Sequence, residues 1–156
     1  MGHSDMAPRR AGASDLDAVA RLTEAAYAPY TALLGAPPLP VTEDYAPRIA
    51  AGQVWLLERA DRLVGLLVLE RHADHVLIYS VAVAPDRQGE GHGSVLLRFA
   101  EARAREWGVP ELRLYTNARM ERNLAIYAAT GYREVGRRPN PHRPGWTLVD
   151  MAKPPG

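Results

Sequence analysis

The chain contains no cysteine. That excludes a disulfide frame, a thiol nucleophile and a thiolate metal site. It also lacks an excess of either charge, because 19 Lys and Arg against 18 Asp and Glu leave a formal net charge of +1. Nucleic acid or an anionic membrane surface would favour a basic face, so the balance argues against both as partners. No apolar run approaches the ~20 residues that a membrane-spanning helix needs. No secretory signal pattern opens the chain, and a cytoplasmic protein is the simplest reading. Internal repeats and a second-domain linker are missing too, as is any histidine–carboxylate spacing suited to a metal. Met1 to Asp5 read as a cloning remnant ahead of Met6 and are set aside. What remains suits one globular domain over residues 7–153, within a chain of 156 residues that is 47% hydrophobic and 24% charged.

One stretch organises that domain, Val76 to Ser94, VLIYSVAVAPDRQGEGHGS. Its first half is apolar and β-branched, as a buried strand should be. Pro85 ends any strand ladder because it has no N–H to donate. Gln88, Gly89, Glu90, Gly91, His92, Gly93 and Ser94 follow, and a helical pattern begins near Val95. Strand, glycine-rich turn and helix start, in that order, present backbone N–H groups at the positive end of a helix dipole. This is an anion site of the kind that holds a diphosphate. The glycines do not fit the G-x-G-x-x-G of a dinucleotide fold. No Lys followed by Ser or Thr succeeds them as in a P-loop, which disfavours a nucleotide-binding protein.

The rest of the chain supplies a regular alternation. Ala7 to Ala11 can form an edge strand. Ser14 is expected to cap a helix carrying Leu16, Val19, Leu22 and Thr23, with Pro29 discouraging continuation beyond Tyr27. Tyr30 to Val41 reads as a loop or broken helix, and Thr42 as the cap of a short helix stopped by Gly52. Tyr27, Tyr30 and Tyr45 either pack over the core edge or form an aromatic wall. Val54–Glu58 and Leu63–Glu70 make an antiparallel hairpin, with Gly65 marking a bulge or a close backbone approach. The helix from Val95 to Trp107 is expected to bury a stripe of Leu97, Ala100, Ala104 and Trp107, with Leu96 and Phe99 beside it. It leaves Arg98, Glu101, Arg103, Arg105 and Glu106 to solvent. With the strand Leu112 to Thr116 it closes a βαβ unit, whose two strands should be parallel. A helix from Arg122 to Thr130 ending at Gly131, a strand Tyr132–Arg138, a loop Asn140–Gly145 and a strand Trp146–Ala152 complete the chain.

Three features together resemble the GCN5-related N-acetyltransferases, the GNAT family. The first is Gln88-x-x-Gly91-x-Gly93 after Val81-Ala82-Val83-x-Pro85. The second is Leu114-Tyr115-Thr116-Asn117 at a strand end. The third is Asn123-Leu124-Ala125-Ile126-Tyr127 on the next helix, closed by Gly131-Tyr132. The resemblance covers Ala7 to Lys153. It implies an α/β fold with a mixed central sheet of about six to seven strands and helices on both faces. It also implies acetyl-CoA as cosubstrate and a small-molecule or peptide amine as acceptor. In such folds two parallel strands separate, and the freed backbone of Val81, Ala82 and Val83 would pair with the pantetheine amides. The backbone from Gln88 through Gly89, Glu90, Gly91, His92 and Gly93 to Ser94 would hold the diphosphate, His92 being structural rather than catalytic.

The resemblance makes Tyr127 the proton donor to the departing thiolate. Asn123, one turn earlier, would bind a pantetheine amide, whereas Asn117 is either a cofactor contact or a turn residue. Many members carry a glutamate on the central strand as general base, and Val76 to Ala84 has no carboxylate. Glu70, His75 or a water chain ending at Tyr79 stand as alternatives. That gap also supports a rival reading, an acyl-CoA-binding sensor without catalysis. Tyr27–Gly52 and Asn140–Gly145 would shape the acceptor site, and the final strands could pair across a homodimer.

Overall fold

The computed structural model describes residues 7–156; the segment read as a cloning remnant lies outside them. The described residues form two compact units. One is built from the chain up to Glu70 plus Tyr79–Ala100, the other from Arg71–Ile78 plus Glu101–Gly156.

In the first unit, β1 (Arg9–Arg10) pairs antiparallel with β2 (Val54–Arg59), the edge strand expected between Ala7 and Ala11. Helix α1 runs Leu16–Leu34, through Pro29, and stops only at Gly35 with φ 78°. The expected end near Tyr27 is therefore wrong, and burial explains why. Pro29 and Ala25, whose carbonyl loses its usual amide partner, both lie on the exposed face, where water can replace the bond. Tyr27 and Leu34 are buried on the other side and hold the helix together. Nor does Ser14 cap the helix. It sits in a 3-10 turn, Ala13–Asp15, where Asp15 Oδ2 accepts the Gly12 N–H at 2.7 Å.

The stretch expected as a loop and one helix holds two short helices, α2 (Leu39–Thr42) and α3 (Ala46–Ala50). Thr42 ends α2, its hydroxyl donating to the Leu39 carbonyl at 3.0 Å. Asp44 starts α3 by accepting the Ala46 N–H at 3.0 Å. Gly52, φ 73°, stops the run as expected.

Strand β3 (Arg62–Arg71) returns along β2 through a turn in which Ala60 and Asp61 both take positive φ, the twist that suits a tight hairpin. The register slips beside Gly65, where a Cβ would lie 3.0 Å from Leu96 Cδ1 and 3.2 Å from the Ala82 carbonyl. Bulge and close approach, offered as alternatives, occur together. Val54–Leu57 and Val64–Leu69 are buried without interruption, which requires cover on both faces of these strands.

Strand β4 (Val76–Val83) is shared between the units, and α4 (His92–Glu106) follows the glycine turn. Leu96, Leu97, Ala100 and Ala104 are buried along it, whereas Trp107, expected in the same stripe, lies beyond its last residue and is only half-buried. Its start lies three residues before Val95, so Gly93 and Ser94 are in its first turn.

In the second unit, Val76–Ile78 of β4 pair in parallel with β5 (Leu112–Asn117), the arrangement that the βαβ pattern required. Antiparallel pairing of β5 with β7 (Thr147–Lys153), and of β7 with the edge strand β6 (Arg133–Pro139), completes the sheet. Strand order is β1-β2-β3-β4-β5-β7-β6, a mixed seven-stranded sheet. Helix α5 (Glu121–Ala129) is the fifth helix among the described residues and ends before Gly131, φ 101°. One expected surface charge is not solvated. Glu101 pairs with Lys153 at 2.9 Å, with the side chains only 17% and 12% exposed.

Candidate active site

The glycine turn is set up by β4. Ala84 N–H bonds the Val64 carbonyl at 2.8 Å, Pro85–Arg87 form one 3-10 turn, and the chain then passes through Gly89 and Gly91 with φ 84° and 88°. Only glycine adopts these angles without strain. A Cβ at either position would meet nothing within 4 Å, so the turn borders open space. At Gly93, φ is not in the left-handed region, and a Cβ would make ordinary contact with Val83 Cγ2 at 3.9 Å. Nothing in the protein itself demands glycine there.

The side chains of the turn brace one another. Arg87 Nε donates to Glu90 Oε1 at 2.8 Å, and His92 Nε2 lies 2.9 Å from the same oxygen. Arg87 first, and His92 second, hold the Glu90 carboxyl below the ordinary range. His92 is buried. Gln88 Nε2 reaches back to the Val83 carbonyl at 3.4 Å. With these side chains engaged inside the turn, an arriving anion meets chiefly backbone N–H groups, and the first turn of α4 has such donors without intrahelical partners.

Along β4 the burial alternates. Ser80 and Ala82 are buried, whereas Tyr79, Val81 and Val83 are half-buried on the opposite face. Ser80 Oγ meets the hydroxyl of Tyr27 at 3.3 Å, and burial pushes that phenol's pKa up. Tyr45 is 2% exposed and donates to the Pro40 carbonyl at 2.5 Å, its phenol likewise pushed up by burial. Tyr27 and Tyr45 therefore belong to the core rather than to an aromatic wall, and Tyr30 is half-buried.

Tyr79 stands in a charged setting that sequence reasoning only partly found. Its hydroxyl donates to Glu43 Oε1 at 3.1 Å, and the Arg48 guanidinium lies 3.9 Å from the centre of its ring. Arg48 in turn donates from Nε to Glu43 Oε2 at 2.7 Å, and from Nη1 to Glu70 Oε2 at 2.7 Å and Gln53 Oε1 at 3.0 Å. Burial works against the Arg48 charge, but the bonds to Glu43 and Glu70 outweigh it and keep its pKa above the ordinary value. Two of the three alternatives for the base, Glu70 and Tyr79, thus share one cluster. Glu43 and Arg48 were missed. Their only signal was that they fall between Tyr27 and Gly52, the stretch expected to shape the acceptor site.

The remaining expected residues lie in the second unit. Asn123 and Tyr127 are half-buried on α5, one turn apart. The Tyr127 ring meets the buried Tyr132 ring edge-on at 5.9 Å, so it rests against the core rather than inside it. Asn117 is 7% exposed, and its Oδ1 accepts the Arg119 N–H at 2.9 Å, the turn role weighed for it. His75 Nδ1 lies 2.7 Å from Asp74 Oδ1, and its ring stacks on His72 at 4.5 Å, in the connection between β3 and β4.

This strand–turn–helix with left-handed glycines sits inside a known family model. The model of the Acetyltransferase (GNAT) family matches residues 19–132, and the chain belongs to that family. Mycothiol acetyltransferase of Jonesia denitrificans is 35% identical over 81 residues, which are 51% of this chain and 26% of that protein. The chain thus spans about a quarter of the length of that curated relative. Among solved structures, the PaiA N-acetyltransferase of Thermoplasma acidophilum in complex with coenzyme A aligns with TM-score 0.79 and 17% identity, over 94% of this chain and 97% of that one. The ribosomal-protein-S18-alanine N-acetyltransferase of Escherichia coli aligns with TM-score 0.72 and 22% identity, over 94% and 92%. At these identities the alignments show the fold.

Proposed function

We propose that the chain is an acetyl-CoA-dependent N-acetyltransferase of one domain, residues 7–153, acting on a primary amine of a small molecule or peptide in the cytoplasm. The observation that carries this reading is the turn at Gly89 and Gly91, left-handed and bordered by open space, within the span that the family model matches. Backbone N–H groups from Gln88 to Ser94 take the diphosphate, and Val81 to Val83 take the pantetheine amides. Asn123 adds a polar contact, and Asn117 shapes the turn beside it.

Transfer is direct, since the chain has no cysteine to form an acyl-enzyme. The ammonium of the acceptor gives its extra proton to water, and the amine nitrogen then attacks the acetyl carbon while a backbone N–H of β4 polarises the carbonyl oxygen. The carbon–sulfur bond breaks, the thiolate takes the phenolic proton of Tyr127, and the proton that the nitrogen sheds on becoming the amide returns through water to the phenolate. Isothermal titration with acetyl-CoA tests the reading first. Saturable binding is expected, and no heat at high ligand concentration would end it.

One observation favours a second reading, a CoA-binding sensor: β4 carries no carboxylate from Val76 to Val83. Binding of acetyl-CoA without product from any amine in a broad panel would favour the sensor. Edge strand β6 is where a second copy would pair, and light scattering decides whether the protein is a monomer or a dimer.

A further inference from the structure

The central strand lacks a carboxylate, yet one reaches it from elsewhere in the first unit. Glu43, between α2 and α3, is 36 positions from Tyr79 in the chain and accepts its hydroxyl proton at 3.1 Å. A phenol has one proton to give. Once that proton is directed at Glu43, any hydrogen bond that Tyr79 makes to a substrate is one that it accepts. The phenol oxygen is thereby turned into a reader of N–H donors.

Two further contacts keep it there. Arg48 covers the ring at 3.9 Å and clamps the other oxygen of Glu43 at 2.7 Å. Glu70 and Gln53 fix Arg48 from its far end. Across Glu43, Glu70 and Arg48 the formal charge is one negative, which attracts an ammonium and repels a carboxylate. Tyr79 also shares its face of β4 with Val81 and Val83, the residues proposed to lie along the pantetheine.

We propose that Glu43 is a positioning residue for the acceptor: it orients Tyr79 so that the phenol oxygen receives the ammonium, and it selects amines that carry no neighbouring carboxylate. The proposal rests on the acetyltransferase reading, and the experiment separates the two. Putrescine, trialanine amide and L-glutamate serve as acceptors for the full chain, with acetyl-CoA binding measured in parallel by calorimetry. Putrescine and trialanine amide should be acetylated in preference to L-glutamate.

Glu43→Gln should raise the acceptor KM about tenfold, the scale of one charge-assisted hydrogen bond, and leave the acetyl-CoA Kd within about twofold. Glu43→Asp, which keeps the charge, should recover part of the loss. Should Glu43→Gln unfold, Tyr79→Phe keeps the ring under Arg48, removes only the hydroxyl, and should raise the same KM. Putrescine binding to the CoA-loaded protein supplies a readout without turnover, and it should weaken in Glu43→Gln. If wild-type protein fails to bind acetyl-CoA, the acetyltransferase reading falls. If it binds acetyl-CoA normally but L-glutamate is the best acceptor, or putrescine handling is the same in wild type and Glu43→Gln, Glu43 has no such role.

Discussion

Helices α4 and α5 both follow a strand of the parallel pair, yet they are held in opposite ways. Helix α4 places Leu96, Leu97, Ala100 and Ala104 in the core, each 4% exposed or less. Helix α5 has no buried residue at all, and Ile126 on it is 45% exposed. The first helix is anchored by hydrophobic burial, which makes its N-terminus a fixed platform for the glycine turn. The second presents half-buried polar side chains, Asn123 and Tyr127, with little core of its own to protect. A residue on α4 is therefore constrained mainly by packing, and a half-buried residue on α5 is free to be kept for chemistry.

That contrast can be broken by substitution, most forcefully at α4. Leu96→Ala removes a side chain that is 0% exposed and lies against Gly65, and should cost about 3 kcal/mol of stability. Chemical denaturation measures it, and a loss below ~1 kcal/mol would mean that α4 is not the anchor. Gly91→Ala forces a Cβ into a left-handed conformation, costing about 1–2 kcal/mol, and should weaken acetyl-CoA binding about tenfold in calorimetry. Unchanged affinity would remove the turn from the binding surface.

On α5 the pattern should reverse. Tyr127→Phe is expected to shift stability by less than ~0.5 kcal/mol but to lower kcat by about tenfold to a hundredfold at nearly constant acetyl-CoA affinity. Equal kcat in the two proteins would take Tyr127 out of proton transfer. Smallest of all, Ile126→Ala should stay within about 0.5 kcal/mol of wild type in thermal unfolding, because the side chain is already half in water. A larger loss would show that α5 packs more tightly than its exposure indicates.

Much of this architecture was legible along the chain. The hairpin, the bulge at Gly65, the stripe on α4 and the stops at Gly52 and Gly131 each follow from local rules that act over a few residues. Errors gathered where local rules met distant packing. Proline at position 29 should end a helix, but an exposed proline flanked by buried Tyr27 and Leu34 merely interrupts one bond. Ser14 and Thr42 are good caps by composition, yet Asp15 and Asp44 accept the free N–H groups nearby. Glu101 reads as a surface charge until Lys153 of β7 comes to meet it.

The residue order alone determined the strand, glycine turn and helix start that lie within the family match, and with them the backbone N–H groups at the start of α4. Those features are contiguous, so spacing and backbone angle suffice to specify them. Only the tertiary structure decided what surrounds Tyr79. Glu43 and Arg48 meet it, and Glu70 meets Arg48, from separate elements, and no periodicity encodes a meeting between residues whose positions are set by the packing of a whole unit.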